Sequence, residues 1–480
     1  MSKGLPDLNK DFSSWYTQVV NRAGLADYGP VKGTMVIKPY GFQLWENIRE
    51  TFDSMIKKTG HVNAYFPLFI PKSFLAREAQ HVEGFAKECA VVTHTRLKAD
   101  PREGIIVDPD SKLEEEIVVR PTSETVIWSM YKKWIQSYRD LPILINQWAN
   151  VVRWEMRTRL FLRTSEFLWQ EGHTAHATAE EAEKETLDIL ELYRQLSEDF
   201  LAIPVYTGVK TDSEKFAGAD KTYCIEAMMG DKRALQAGTS HNLGQNFAKA
   251  FDVTFQTKDN REQFVWATSW GVSTRLVGAV ILTHGDDKGL RLPPKIAPIQ
   301  LVIIPIAKDH DQEQHVKNYI KSILPVLKNS KIRFFQDWTN NSPGYKFNEW
   351  EMKGVPLRME IGPKDIESNK VVLARRDTGE KLDCNIQNVA DTVPRLLHKI
   401  QERLFEEAKN FRDNNTHSVS SFKEFKSIIK DGGFIRCGWN GDEKTEALIK
   451  AETKATIRCI PFDENTKGLK CIVSGDPAKH

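Results

Sequence analysis

Residues 146–155, Asn-Gln-Trp-Ala-Asn-Val-Val-Arg-Trp-Glu, and residues 167–173, Phe-Leu-Trp-Gln-Glu-Gly-His, decide the fold of this chain. β-Branched and aromatic residues are frequent in both segments. The pattern therefore predicts a strand over residues 143–155 and a returning strand after an arginine-rich loop. Arg153 and Glu155 lie two residues apart and therefore project from the same face of this otherwise apolar hairpin. A guanidinium suits a phosphate and a carboxylate suits a base edge, so the hairpin indicates a nucleotide site, although arginine clusters are more often solvated loops.

A second arginine stands in a comparable setting further along the chain. Arg275 ends the segment Gly271-Val-Ser-Thr-Arg275 and precedes the apolar helical pattern of residues 276–284. The N-terminus of a helix attracts anions and repels cations. An arginine at this end is best explained by an anion between the guanidinium and the helix, although a simple helix start is the ordinary alternative.

Two further segments concentrate polar residues that a core does not need. Thr122 and Glu124 precede a helical pattern, where an N-terminal capping arrangement would explain them. Glu171 and His173 lie two residues apart on the returning strand and so share one face. A buried structural pair is the commoner explanation for such residues when they are considered alone.

The composition limits the class of protein. The chain has 480 residues, a formal net charge of +2 and six cysteines, which is typical of a cytoplasmic protein with reduced thiols. No apolar run approaches the roughly 20 residues that span a bilayer, and the first residues contain no apolar stretch that suits a secretory signal. We therefore expect a cytoplasmic protein with no membrane association.

Breaks in composition divide the chain into three parts. A proline-rich linker over residues 292–298 follows the region that contains the hairpin, and strands then alternate with helical patterns, which predicts a compact α/β domain. A second break at residues 413–416 precedes a small unit over residues 417–480. The expected fold is an α+β protein with an antiparallel-sheet core, followed by two smaller α/β parts.

Taken together, these segments resemble motifs 1, 2 and 3 of the class II aminoacyl-tRNA synthetases. The strings RPTSET (120–125), NQWANVVRWE (146–155), FLWQEGHTAH (167–176), GTSHNLGQNF (238–247) and SWGVSTR (269–275) are similar to those of the prolyl-tRNA synthetase family, in its eukaryote-like and archaeal-like type. The resemblance implies a class II catalytic domain over residues 1–291, an anticodon-binding domain over 298–405 and a C-terminal zinc-binding-like domain over 417–480.

The resemblance implies two reactions. Proline attacks the α-phosphate of ATP to form prolyl-adenylate, and the prolyl group then passes to the 3′ end of tRNA(Pro), with Mg²⁺ accompanying ATP. Arg153 and Arg275 would be the catalytic residues. The implied ATP site consists of Arg153, Glu155, Arg163, Thr164, Phe167, Gln236, Thr239, Ser273 and Arg275. The implied proline site consists of Thr122, Glu124, Arg153, Trp169, Glu171, His173, His241, Ser269 and Trp270.

The resemblance also implies contacts with tRNA and with a second subunit. The candidate anticodon contacts are Lys346, Glu349, Glu351, Arg358 and Glu360. The segment Phe85-Ala-Lys-Glu88 matches a loop near the tRNA terminus, with an ordinary surface loop as an equal alternative. A homodimer is expected because the motif 1 helix, here residues 40–58, lies at a subunit interface in this class.

Two departures from the family pattern carry expectations of their own. Only Cys437 and Cys471 match a four-cysteine zinc site, with Thr445 and Ser474 at the other two positions, so we expect no zinc. The interval between motifs 2 and 3 is too short for the editing domain of bacterial-type relatives, so Ala-tRNA should not be cleared. The alternatives are a synthetase for another amino acid and a catalytically silent tRNA-binding paralogue.

Overall fold

The computed structural model describes residues 4–75 and 88–480 of the chain. The longer helices agree with the sequence pattern. The longest of them begins at Val389 and ends at Asn414. The α-helices in this part of the chain are Phe12–Arg22, Pro39–Lys58, Lys72–Leu75, Glu124–Trp134, Ala179–Gln195, Asn246–Phe251, Arg275–His284, His310–Asn329, Pro343–Met352, Pro363–Glu367, Val389–Asn414, Phe422–Ile428 and Glu443–Thr453.

The strands are numbered in chain order. Those before the proline-rich linker are β1 (Ala26–Tyr28), β2 (Met35–Ile37), β3 (Val62–Asn63), β4 (Phe69–Pro71), β5 (Ala90–His94), β6 (Leu97–Asp100), β7 (Gly104–Val107), β8 (Lys112–Val119), β9 (Ile143–Val152), β10 (Glu166–His176), β11 (Val205–Val209), β12 (Lys221–Met228), β13 (Ala234–Gly244), β14 (Thr254–Gln256), β15 (Glu262–Phe264) and β16 (Trp266–Ser273). Those after it are β17 (Leu301–Pro305), β18 (Phe334–Gln336), β19 (Leu357–Ile361), β20 (Lys370–Arg375), β21 (Lys381–Asn385), β22 (Thr416–Ser418), β23 (Phe434–Arg436) and β24 (Ile460–Pro461).

An eight-stranded sheet organises the first part of the chain. Its order is β24-β11-β12-β13-β16-β10-β9-β3, and all neighbours are antiparallel except β3 and β9. The hairpin expected from the sequence is the pair β9 and β10, in which Val152 lies opposite Glu166 and Ile143 lies opposite Ala175. The α+β fold with an antiparallel-sheet core is therefore confirmed.

One face of this sheet is covered by the helix Ala179–Gln195. A capping box between Thr178 and Glu181 begins the helix. Its buried side chains, among them Ile189 and Tyr193, join the main apolar core with Trp45 and Phe52 of the helix Pro39–Lys58. Because this face is filled by helices, a site for ligands has to form on the other face.

The second part of the chain is built on a five-stranded sheet of order β18-β17-β19-β20-β21. The β17–β18 and β17–β19 pairs are parallel and the remaining pairs are antiparallel. Buried side chains of the helices His310–Asn329 and Val389–Asn414 pack on it. Arg376 holds this part against the first through two hydrogen bonds to the Asp286 carboxylate, of 2.6 and 2.8 Å.

The last part of the chain has a small apolar core of its own, around Val419, Phe425, Ile449 and Ile472. Its strands β22 and β23 pair in parallel, and β24 leaves this unit to join the edge of the large sheet. Residues 4–75 and 88–480 include no helix with both the length and the apolarity that crossing a bilayer requires.

Candidate active site

Two rows of side chains cross the uncovered face of the large sheet. Residues directly opposite each other in antiparallel strands point to the same face. Glu171 therefore shares its row with Gln147, Gly271 and Thr239. In the next row, His173 lies beside Ser269, which is paired in turn with His241. The sheet thus gathers onto one surface residues that are far apart in the sequence.

Glu171 is the buried acid of this surface. Ser123 Oγ donates a hydrogen bond of 2.5 Å to its carboxylate, and Gln147 Nε2 donates another of 2.7 Å. Burial, assisted by the negative charge of Glu124, raises the pKa of Glu171 to about 7. Ser123 and Gln147 are not among the residues predicted from the sequence, although both lie inside the quoted strings.

A second carboxylate lies close by. Glu124 begins the helix Glu124–Trp134 and is almost fully buried, and the Thr122 hydroxyl donates a hydrogen bond to it. Two carboxylates that share a buried site repel each other, and a cationic group between them would relieve the repulsion. The pair Glu124 and Glu171 is therefore suited to an ammonium group.

Two histidines flank this acidic pair, and both are neutral at neutral pH. Burial lowers the pKa of His173 to about 4 and that of His241 to about 4. His173 Nε2 lies 3.4 Å from the Glu171 carboxylate. His241 Nδ1 lies 3.0 Å from the Thr222 hydroxyl, and its ring stacks on Phe216 at 4.6 Å. The two imidazoles therefore present neutral ring surfaces and hydrogen-bonding nitrogens.

Three buried polar atoms on this face have no hydrogen-bond partner among the described residues. They are Trp169 Nε1, His173 Nδ1 and Ser269 Oγ. Such atoms are rare in native interiors because losing hydration without a new hydrogen bond is costly. Their concentration beside Glu171 marks a place where a polar ligand would complete the hydrogen bonding.

Trp270 does not belong to this surface, which corrects its assignment as a pocket residue. It is paired with Gly172 and Ser240, and so points to the opposite face from Ser269. Its side chain is buried in the main apolar core, edge-on to the His61 ring at 5.3 Å. Alternation along a strand explains the difference, because adjacent residues point to opposite faces.

Arg153 lies at the end of β9, next to the acidic pair. Its Nε donates a hydrogen bond of 3.0 Å to the Pro121 carbonyl, and its guanidinium lies 5.5 Å from the ring centres of both Phe167 and Trp169. Burial lowers the pKa of Arg153, whereas the charges of Glu124 and Glu171 raise it. The guanidinium thus connects the acidic pocket with the aromatic ring of Phe167.

Arg275 approaches the same region from the start of its helix. Its Nε donates to the Leu162 carbonyl at 3.3 Å and its Nη1 donates to the Gln236 carbonyl at 3.4 Å. Burial and the positive charges of Arg153 and Arg163 lower the pKa of Arg275. Guanidinium groups that repel one another inside a protein are stabilised when an anion binds between them.

Among the remaining candidate nucleotide residues, Arg163, Glu155 and Ser273 lie beside Arg275. Thr239 lies in the row of Glu171. Arg163 and Glu155 form an ion pair of 2.5 Å, and the Ser273 hydroxyl accepts a hydrogen bond of 3.2 Å from the Arg275 backbone. Thr164 is different because its buried hydroxyl donates to the Glu166 carbonyl at 2.7 Å. The Thr164 hydroxyl proton is therefore already engaged in a hydrogen bond within the loop.

The candidate anticodon residues fall into two groups. Arg358 and Glu360 pair on β19 at 2.9 Å, and the Arg358 guanidinium lies 4.1 Å from the Phe347 ring centre. Lys346 is instead buried, with its Nζ donating to the Asp337 carbonyl at 2.9 Å. Glu349 and Glu351 pair with lysines, at 2.8 Å to Lys353 and at 3.2 Å to Lys288.

The segment expected near the tRNA terminus lies mostly outside the described residues, which include only Glu88 of Phe85–Glu88. The negative charge of Glu88 raises the pKa of Arg153, opposing the larger effect of burial.

The positions of the incomplete zinc set are occupied by a hydrogen-bonded cluster. Trp439 Nε1 donates to Thr445 Oγ1 at 2.8 Å, and Asn440 Nδ2 donates to Ser474 Oγ at 3.3 Å. Burial, followed by the charge of Cys471, raises the pKa of Cys437 to about 11. The pKa of Cys471 is lowered instead, because hydrogen bonds, first among them those from Ser474, outweigh the effect of burial. Within residues 4–75 and 88–480, no three His, Cys, Asp or Glu side chains form a group that could hold a metal ion.

Comparison with known proteins assigns the chain to a family. A proline–tRNA ligase of Porphyromonas gingivalis is 57% identical over 100% of this chain and 98% of the relative. The proline–tRNA ligases of Cytophaga hutchinsonii and Bacteroides fragilis are 57% and 56% identical, with the same coverage. The chain belongs to the proline–tRNA ligase family. This degree of identity over the full length of both chains leaves little room for another family within the class.

Three protein-family models match successive parts of this member of the proline–tRNA ligase family. A class II tRNA synthetase core domain, of the type shared by the G, H, P, S and T enzymes, matches residues 106–284. An anticodon-binding domain matches residues 300–396, and a prolyl-tRNA synthetase C-terminal domain matches residues 422–480. The resemblance inferred from the quoted strings is therefore confirmed.

Proposed function

We propose that this protein is an enzyme that activates L-proline with ATP and transfers the prolyl group to the 3′ end of tRNA(Pro). The observation that carries the proposal is the position of two mutually repelling guanidinium groups, Arg153 and Arg275, beside a buried acidic pocket. An anion is needed between the arginines and a cation is needed between the carboxylates. ATP and the ammonium group of an amino acid supply these two charges.

Arg153 and Arg275 are the proposed catalytic residues. Arg153 lies between the two halves of the site, which suits a contact with both the α-phosphate and the carboxylate that attacks it. Arg275 would hold the terminal phosphate and lie over the adenine, with Phe167 stacking on the other side. Phosphoryl transfer depends mainly on positioning and on charge neutralisation, which such groups provide. Five residues complete the proposed nucleotide site: Glu155, Arg163, Gln236, Thr239 and Ser273.

The proposed proline site consists of the acidic pair and its neighbours. Glu124 and Glu171 would bind the secondary ammonium group. Trp169, His173 and His241 would enclose the ring, and Ser269 would donate or accept a hydrogen bond. The three polar atoms without partners among the described residues support this assignment, because a bound amino acid would satisfy them.

Mg²⁺ is proposed to enter with the nucleotide. The ion usually binds through one or two carboxylates together with substrate phosphates and waters. Glu155 and Gln236 are the proposed contacts to the ion or to its waters. When bound, the ion neutralises phosphate charge.

For tRNA, we propose that the β19 cluster of Arg358, Glu360 and Phe347 binds the anticodon. It combines charged groups with an aromatic ring, which suits single-stranded bases. Lys346 is excluded from the proposal because it is bound to Asp337 within the fold. The proposed division is a catalytic domain over residues 1–291, an anticodon-binding domain over 298–405 and a C-terminal domain over 417–480.

We further propose a homodimer in the cytoplasm. After the helix Pro39–Lys58, three large apolar side chains are exposed: Val62 at 61%, Tyr65 at 71% and Phe69 at 49%. A second copy would cover such a patch. Sedimentation of the wild type and of Tyr65→Asp tests this proposal, with a shift to monomer expected for the variant.

The decisive experiment for the function is ATP–pyrophosphate exchange with each of the twenty amino acids in turn. Exchange that depends on proline, followed by charging of tRNA(Pro), is the expected result. Exchange with another amino acid would identify a different synthetase, and the absence of exchange with any amino acid would identify a silent paralogue.

A further inference from the structure

The C-terminal part of the chain is joined directly to the active-site sheet. Strand β24 pairs with β11, Ile460 opposite Val209 and Pro461 opposite Gly208. A side chain at Gly208 would meet the Ile460 carbonyl oxygen at 2.3 Å, so this approach requires glycine. The residues just before β24 are therefore held at a defined position on the sheet.

Arg458, two residues before β24, reaches a buried acid in that sheet. Its Nη2 and Nε lie 2.9 and 3.1 Å from one carboxylate oxygen of Glu226. Lys210 Nζ donates a hydrogen bond of 2.7 Å to the other carboxylate oxygen and another of 2.5 Å to the Arg458 carbonyl. Glu226 is fully buried, so its charge depends on both partners.

Glu226 is one strand away from the nucleotide side of the site. It lies opposite Gln236 in the β12–β13 pair, next to a shift in register. The Gln236 carbonyl accepts a hydrogen bond from Arg275, and the negative charge of Glu226 raises the pKa of Arg275, opposing the larger effect of burial. The charge of Glu226 therefore acts on the guanidinium that is proposed to bind the terminal phosphate.

We propose that Arg458 is a positioning residue for ATP binding, which acts through Glu226 on Gln236 and Arg275. The inference rests on the nucleotide roles proposed above for Gln236 and Arg275. With Arg458 in place, each carboxylate oxygen of Glu226 has a cationic partner, and Arg275 is available to the phosphates. Without Arg458, one carboxylate oxygen loses its partner, and Glu226 competes with the nucleotide for Arg275.

The test is the KM for ATP in proline-dependent ATP–pyrophosphate exchange. Arg458→Met should raise this KM about tenfold, the scale of one charged hydrogen bond, and leave kcat and the KM for proline within about twofold. Arg458→Lys, which keeps the charge, should recover most of the affinity. The double variant Glu226→Gln/Arg458→Met should return towards the wild-type KM, because it removes the competing charge.

Arg436→Met is the matched control, since Arg436 pairs with Asp463 at 3.0 Å within the C-terminal part and should leave the KM for ATP unchanged. An unchanged KM in Arg458→Met, an equal rise in both KM values, or no recovery in the double variant would overturn the inference. A wild-type protein that shows no proline-dependent exchange would overturn the proposed function instead. If Arg458→Met fails to fold, Arg458→Gln, which also removes the positive charge, takes its place in the comparison on the same criteria.

Discussion

The indole of Trp270 lies directly over Gly172, on the face of the large sheet that is opposite to Glu171 and His173. A side chain at Gly172 would meet the indole ring at 2.1 Å, so no other residue fits under this tryptophan. The contact fixes which residues of β10 and β16 face the core and which face the site. It also separates two tryptophans, Trp169 and Trp270, that the sequence analysis placed in the same pocket.

The first prediction contrasts these two tryptophans. Trp270→Phe should lower the free energy of unfolding by about 1–3 kcal/mol, because it shortens a fully packed core side chain, and should leave the KM for proline within about twofold. Trp169→Phe removes the unpaired indole N–H and should raise the KM for proline about tenfold. Denaturant unfolding and ATP–pyrophosphate exchange measure the two effects, and the reverse pattern would contradict the assignment.

The second prediction concerns pH. The pKa of Glu171 is raised to about 7, so the carboxyl group is progressively protonated below neutrality and loses its attraction for an ammonium group. The KM for proline should rise roughly tenfold between pH 7.5 and pH 6. His173 does not titrate in this range because its pKa is lowered to about 4. Glu171→Gln should have a high KM that is independent of pH, with the KM for ATP as the internal control.

The same shift in pKa affects stability. A carboxyl group with a folded-state pKa above its usual value of 4.5 contributes stability that is fully present below pH 4.5 and is lost as the pH rises through about 7. The wild type should therefore lose stability relative to Glu171→Gln between pH 5 and pH 7.5. Thermal melting of both proteins over this range tests the sign, and parallel curves would argue against the raised pKa.

The third prediction concerns the arginines. Arg153→Ala or Arg275→Ala should reduce proline-dependent exchange by about 10²–10³-fold, since each removes a preorganised positive charge. Arg157→Ala changes an exposed arginine of the same loop and should retain activity within about twofold. Far-UV circular dichroism confirms that the variants fold. Activity equal to the wild type in Arg153→Ala would remove that residue from the mechanism.

The fourth prediction concerns zinc. Metal analysis of the purified protein should find well below one zinc ion per chain, and a chelator should not shift the melting temperature. The double variant Thr445→Cys/Ser474→Cys supplies the two missing thiolates and should bind zinc at close to one ion per chain. Stoichiometric zinc in the wild type would show that the hydrogen-bonded cluster opens to admit the metal.

The fifth prediction concerns errors of charging. Residues 172–270 contain β11, β12 and β13 of the active-site sheet and the helix Ala179–Gln195, and we expect an interval of this length to be too short for an inserted editing domain. The purified protein should not hydrolyse Ala-tRNA(Pro), and some alanine should be charged, because a size filter discriminates weakly between small side chains. Release of alanine from the preformed ester measures this directly. Rapid release by the pure protein would reveal an editing site.

Much of the fold was accessible from the sequence because its signals are local. The β9–β10 hairpin follows from apolar and β-branched residues on both sides of a polar loop, and the helix that begins at Arg275 follows from an apolar run. The spacing of Glu171 and His173 predicted only that they share one face of a strand, and their assignment to the site came from the resemblance to the family. Gln147 was missed because a single glutamine in a strand carries no local signal, and its partner Glu171 is distant in the sequence.

The sequence alone therefore determined the family and the β9–β10 hairpin, because both depend on short stretches of sequence. Most candidates for the proposed site followed from the resemblance to the family. Only the tertiary structure decided that Trp270 belongs to the core, that Glu171 titrates near neutrality and that Arg458 reaches Glu226. Each of these depends on which strands become neighbours and on how far water is excluded. Neither property is encoded in any one segment, because both arise only when distant parts of the chain pack together.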